Sequence, residues 1–228
     1  MQKAYLSQPS LGNGKVFFIS ENSLWSVDIE GGSAKRIISS NGIVSKPLVS
    51  PDGNLISFTF DEEGSAELYV MESNGGPAKR LTYHNMPSAP AGWSLDSKTI
   101  YFSSTMKSKF RRTPELHCVS IDGGNTTPMN LGYGVWLNIH KDGDKALLGR
   151  HSTDLSYWKR YKGGTAGTIW YGSLKSYEFK QLIEHRSGHV LPQFYGDRVV
   201  FLSDRDGISN VYSVDINGLI LSGTVPWN

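Results

Sequence analysis

A unit of four short strand-like runs recurs along this chain, and any fold proposed for it has to satisfy that recurrence. The clearest copy spans residues 47–82. Here Pro47–Ser50, Leu55–Phe60, Glu67–Met71 and Ala78–Thr82 are separated by Pro51-Asp52-Gly53, Glu63-Gly64 and Asn74-Gly75-Gly76. Runs of this length between Gly, Asn and Pro turns read as a four-stranded antiparallel meander. The third strand of the unit returns as Leu24–Val27, Leu68–Met71, Leu116–Val119, Ile169–Tyr171 and Val211–Val214. From Trp25, Tyr69, His117, Trp170 and Tyr212 the steps are 44, 48, 53 and 42 residues. The next hairpin repeats as Glu30-Gly31-Gly32, Asn74-Gly75-Gly76, Asp122-Gly123-Gly124 and, weakly, Asp215 to Gly218. One such sheet cannot bury both of its faces. Copies stacked face to face can, and a four-strand repeat near this period reads as an all-β fold, the β-propeller.

Five blades are visible, at about residues 5–40, 46–83, 88–132, 134–184 and 190–228, and no Pro/Ser-rich or charged linker divides the 228 residues, so a single domain is expected over 1–228. Blade 3 is expected to use Pro90–Ser94, Thr99–Ser103, Glu115–Ser120 and Pro128–Leu131. Blade 5 is expected to begin at Leu191. Two loops between second and third strands are enlarged, Met106–Pro114 in blade 3 and Asp154–Gly167 in blade 4, and both should project from the same face of the ring. After Gly218 the pattern fails. Either the tail forms the last strand of a five-bladed ring, or the chain is a fragment of a larger propeller.

A net charge of +2 gives no bulk electrostatic case for nucleic acid or an anionic membrane as partner. The single Cys118 excludes an internal disulfide framework. The opening residues lack the apolar core of a secretory signal, and no apolar run is of membrane-spanning length, which points to a cytoplasmic location.

The residues assemble no catalytic centre. Serines are abundant and His84, His140, His151 and His185 sit near strand ends, but no Gly-X-Ser-X-Gly element or nucleophile–base set emerges. His117 and Cys118 are adjacent in a strand, so they face opposite sides of the sheet. No cluster has metal-ligand spacing, and Asp61-Glu62-Glu63 and Asp204-Arg205-Asp206 read as hairpin turns, so neither metal nor cofactor is expected. The loop around Trp158, Lys159, Arg160, Tyr161 and Lys162 mixes aromatic and basic residues. That composition suits nucleic-acid stacking, or a loop packed on its own aromatics at a subunit or domain contact. The following Gly163-Gly164-Thr165-Ala166-Gly167 lacks the Lys-Ser/Thr and helix of a phosphate-binding loop.

Trp158-Lys-Arg-Tyr-Lys-Gly-Gly-Thr-Ala-Gly-Thr-Ile-Trp170, Phe110-Arg111-Arg112, Gly196-Asp197-Arg198 and Phe201-Leu-Ser-Asp-Arg-Asp-Gly207 together resemble the N-terminal propeller of tricorn-type proteases, from about Tyr5 to Gly218. The resemblance implies a six-bladed propeller in a large oligomeric cytoplasmic serine peptidase that cuts peptides released by the proteasome, with the catalytic serine and histidine in later domains. It also implies that Arg111 and Arg112 hold the C-terminal carboxylate of the peptide substrate, a task suited to bidentate guanidinium bonds. The partners implied are the remaining domains of such a peptidase, its peptides and further copies of the chain. The alternative is a stand-alone TolB-like interaction propeller with no enzymatic role.

Overall fold

The computed structural model describes residues 5–38, 41–108, 113–155 and 160–216, and the backbone of 220–223. Twenty strands and no helix occur among them. Blade 1 contains β1 (Ser7–Gly12), β2 (Lys15–Ser20), β3 (Ser23–Asp28) and β4 (Lys35–Arg36). Blade 2 contains β5 (Val44–Val49), β6 (Leu55–Phe60), β7 (Glu67–Glu72) and β8 (Lys79–Arg80). Blade 3 is β9 (Ser88–Trp93), β10 (Thr99–Ser104), β11 (Glu115–Ser120) and β12 (Thr127–Tyr133). Blade 4 is β13 (Trp136–Ile139), β14 (Lys145–Arg150), β15 (Thr168–Ser173) and β16 (Phe179–Gln181), and blade 5 is β17 (His189–Tyr195), β18 (Arg198–Ser203), β19 (Asn210–Asp215) and β20 (Ile220–Gly223). Each blade is one antiparallel sheet with its strands in chain order, as a β-propeller requires. Among the described residues no helix is long and apolar enough to cross a membrane.

The chain forms two compact units, residues 1–112 with 117–129 and residues 113–116 with 130–228. In the first, alternation along a strand sends successive side chains into two different cores. Tyr69 and Met71 of β7 join Phe17, Leu24, Ile56 and Phe58 between blades 1 and 2, while Leu68 and Val70 join Trp93, Ile100 and Phe102 between blades 2 and 3. Both faces of blade 2 are therefore covered, which is why β7 reads as a continuous apolar run. In the second unit, Leu147, Ile169 and Leu182 of blade 4 pack on Val199, Phe201, Tyr212 and Val214 of blade 5.

The Ser-Pro-Asp-Gly turn is held from within. Ser50 Oγ donates to Asp52 Oδ1 at 2.6 Å and accepts the Leu55 amide at 3.0 Å, and Asp52 Oδ1 accepts the Asn54 amide. These bonds favour the charged carboxylate and draw the Asp52 pKa down to about 2. Ser94 and Asp96 repeat the arrangement in blade 3.

First strands differ from their expected bounds. β5 starts at Val44, β9 at Ser88 and β17 at His189, each two or three residues before the sequence suggested. The pairing passes through a bulge in which Gln8-Pro9, Lys46-Pro47 and Leu191-Pro192 each oppose one residue of the neighbouring strand, with φ of 53°, 51° and 53° before the proline. The proline's missing amide falls where the ladder is already interrupted, so the strand continues past it. The backbone of Ile220–Gly223 pairs with β19 as a fourth strand, so the tail takes up the outer position in blade 5 although its residues depart from the repeat.

Candidate functional site

Arg111, Arg112, Trp158 and Lys159 lie outside the described residues. Arg160, Tyr161 and Lys162 are described, in the connection from β14 to β15. Lys162 is exposed, and the Thr165 hydroxyl meets the Tyr161 hydroxyl at 3.2 Å, an aromatic clasp within the loop.

Arg160 is fastened to blade 5. Its φ is 61°, its amide donates to Asp204 Oδ2 at 2.8 Å, and its Nε donates to the Gly207 carbonyl at 3.0 Å. The other oxygen of Asp204 accepts the Gly188 amide at 3.1 Å, from the connection that leads into β17. One buried carboxylate thus joins the long loop of blade 4, the entry to blade 5 and its own hairpin. The corresponding Asp61 of blade 2 also receives an incoming amide, from Ile43 at 2.6 Å. In blade 5 the arrangement also takes in the loop that carries Arg160.

Behind Asp204 lies a second polar group. His189 and Ser203 are paired residues on β17 and β18, both fully buried, with Nδ1 and Oγ 3.0 Å apart. Ser203 Oγ also accepts the Arg205 amide at 3.2 Å. Burial and the nearby Arg205 charge lower the His189 pKa to about 4, so the imidazole is neutral. The Arg205 guanidinium stands over the Tyr212 ring at 5.2 Å, and the Tyr212 hydroxyl donates to Asp206 at 2.6 Å. A Ser–His contact of this length suggests a nucleophile and its base, but both groups are sealed in the core and the serine oxygen is engaged by a backbone amide. Ser203 and His189 therefore do not act as nucleophile and base.

His117 is likewise buried, stacked on Phe102 with ring centroids 5.5 Å apart, and burial pushes the half-buried Cys118 thiol up. Among the described residues, no group of three or more His, Cys, Asp or Glu is placed to hold a metal ion. In sequence Asp204 and Arg205 read as a plain hairpin turn, and His189 and Ser203 carry no sign of a role. Their signal was the parallel between Phe58-Thr-Phe-Asp61 and Phe201-Leu-Ser-Asp204, which marks the aspartate as a recurring device at the end of second strands.

The family described as the tricorn protease N-terminal beta propeller domain matches residues 3–222. The chain belongs to this family. It is 33% identical to "Tricorn protease homolog 1" of Streptomyces coelicolor, with 98% of this chain and 21% of that relative covered. A "Putative Tricorn-like protease N-terminal subunit" of Sulfurisphaera tokodaii is 28% identical over 72% of this chain and 85% of its own length. Among solved structures, the crystal structure of the tricorn protease superposes with a TM-score of 0.85 at 29% identity, covering 95% of this chain and 22% of that one. A putative TolB from Agrobacterium tumefaciens gives 0.75 at 20% identity, covering 95% of this chain and 79% of that one, a likeness of fold alone. The chain spans about a fifth of the length of the first curated relatives it matches.

Proposed function

We propose that this chain is the non-catalytic N-terminal propeller of a tricorn-like serine peptidase that degrades oligopeptides downstream of the proteasome in the cytoplasm. It acts as scaffold and as passage for substrate or product, and Arg111 and Arg112 hold the peptide's C-terminal carboxylate. The observation that carries this reading is the family match over nearly the whole chain. Two adjacent guanidiniums suit the proposed anchor, because each can form paired, charge-assisted bonds to a carboxylate.

The partners are the remaining domains of the peptidase, its peptides and other copies of the chain in a homo-oligomer. The relative named as an N-terminal subunit supports a variant of this reading in which propeller and catalytic modules are separate polypeptides. The Trp158–Lys162 loop is the proposed contact with those domains. Its fastening through Arg160 leaves Lys162 exposed at a fixed position.

The test replaces Arg111 and Arg112 with alanine in the full-length enzyme. KM should rise at least tenfold for peptides with free C-termini and stay nearly constant for C-terminally amidated ones. Equal effects on both would remove the anchor role.

A further inference from the structure

At the loop end of blade 5 lie buried hydrogen-bond donors that have no acceptor among the described residues. Arg205 Nε and Nη2 are closed off from solvent and have no hydrogen-bond partner among the described residues, and the same holds for His189 Nε2. The two arginine nitrogens share one edge of the guanidinium, whose parallel N–H bonds match the two oxygens of a carboxylate. Buried donors left unpaired are costly and uncommon in native structures, so each asks for an explanation.

The imidazole supplies a third donor. Ser203 Oγ accepts the Arg205 amide, so its own proton is free to point at His189 Nδ1, 3.0 Å away. In the tautomer whose Nδ1 accepts that proton, the neutral ring carries its own proton on Nε2. Ser203 thereby ties the arginine and the histidine together.

The carboxylates of this hairpin are committed elsewhere. Asp204 receives the Arg160 and Gly188 amides, and Asp206 receives the Tyr212 hydroxyl. What remains is the two-pronged donor edge of one cationic side chain and an imidazole N–H donor. The complement is a group with two acceptor oxygens, such as a carboxylate.

We propose that Arg205 Nε and Nη2, with His189 Nε2, form a recognition site for a carboxylate group, separate from Arg111 and Arg112. Such an anion would sit out of bulk water, where charge-assisted bonds are strongest. The carboxylate can belong to a peptide ligand or to a segment of the longer protein.

The experiment uses the full-length protein carrying Arg111→Ala and Arg112→Ala, so that the site proposed above cannot supply the signal. Sodium acetate and an N-acetylated tripeptide, as free acid and as amide, are titrated calorimetrically. A crystal structure fine enough to place water is determined in parallel. If the ligand is external, acetate and the free acid bind saturably, the amide does not, and Arg205→Met weakens binding at least tenfold without lowering the melting temperature. If the source is internal, the crystal shows an Asp, Glu or terminal carboxylate of the protein on the Arg205 edge. An edge holding only water or an adventitious ion, with no saturable acetate or peptide binding, overturns the proposal. Loss of the Arg111 and Arg112 effect on KM would leave this result untouched, since the two sites are read separately.

Discussion

The Arg160 amide donates to Asp204 Oδ2 at 2.8 Å across 44 residues of sequence, so a loop of blade 4 is positioned by a hairpin of blade 5. Asp204 is buried and its two oxygens serve amides from two different segments. Removing its charge leaves those amides facing a weaker acceptor, and removing the side chain leaves them with none. Asp204→Ala should destabilise the fold by about 2–4 kcal/mol, about 1–3 kcal/mol from the buried Gly188 amide and about 1 kcal/mol from the partly buried Arg160 amide. It should also free the loop, so trypsin should cut after Lys159, Arg160 and Lys162 several-fold faster than in the parent while other sites keep their rates. Uniform acceleration at every site would mean that Asp204 stabilises globally without fixing the loop.

Where the same loop re-enters the sheet there is no space for a side chain. A Cβ on Gly167 would lie 2.6 Å from Val190 Cγ1 and 2.8 Å from the His189 carbonyl oxygen, and the Gly167 carbonyl accepts the His189 amide at 2.8 Å. The contact with backbone cannot be relieved by a rotamer change. Gly167→Ala is expected to cost about 1–3 kcal/mol, in the range of overpacked cores. Gly164→Ala, where the added atom meets nothing within 4 Å, is the control. Thermal melts of the two variants decide the matter, and equal melting temperatures would refute the close approach.

His189 should make stability depend on pH in a defined window. Burial first, then Arg205 and His185, lower its folded pKa to about 4, while Asp204 acts in the opposite sense. In the unfolded chain the group titrates near its ordinary 6.5. A depressed folded pKa means that the unfolded state binds the proton first. The stabilisation is therefore complete above about pH 6.5 and is lost as pH falls toward 4, by up to about 3 kcal/mol. Denaturant unfolding of the parent and of His189→Gln across pH 7 to 4 tests this. The slope in that window should be much reduced in the variant, and an unchanged slope would assign the titration to another group.

Much of the fold is written in the repeat. The Gly-Gly hairpins, the Ser-Pro-Asp-Gly turn and the alternation in β6 and β7 are local features, and local chemistry reads them directly. The first strands were less legible, because Pro47 looked like a strand boundary when it stands in a bulge opposite Phe58. The recurring pair of a residue at positive φ followed by proline, at 8–9, 46–47 and 191–192, was the missed signal. The polar group at blade 5 was harder still. His189, Ser203 and Arg160 come from three segments, and a contact between Arg160 and Asp204 leaves no periodicity in the sequence. Composition pointed to the loop at 158–162 as a contact element, while its fastening to Asp204 required the third dimension.

Blade 2 offers a comparison between a buried and an exposed carboxylate on one arginine. Glu67 is fully buried. Its Oε2 accepts the Thr82 hydroxyl at 2.5 Å, and its Oε1 accepts the Asn85 amide at 2.7 Å and Arg80 Nη2 at 3.3 Å. Glu63 meets Arg80 Nη1 at 2.5 Å, but its side chain is 65% exposed. Distance alone would rank Glu63 the stronger partner. Solvent reverses the order, because an exposed pair is screened and gains at most about 1 kcal/mol. Removing Glu67 leaves Arg80 partly uncompensated and two further donors without an acceptor, a loss of about 3–5 kcal/mol. Glu67→Ala should therefore shift the guanidinium chloride midpoint far more than Glu63→Ala, with Glu67→Gln between them because it keeps one acceptor oxygen. A larger loss for Glu63→Ala than for Glu67→Ala would show that the ion pair holds this blade end, and that the buried hydrogen bonds do not.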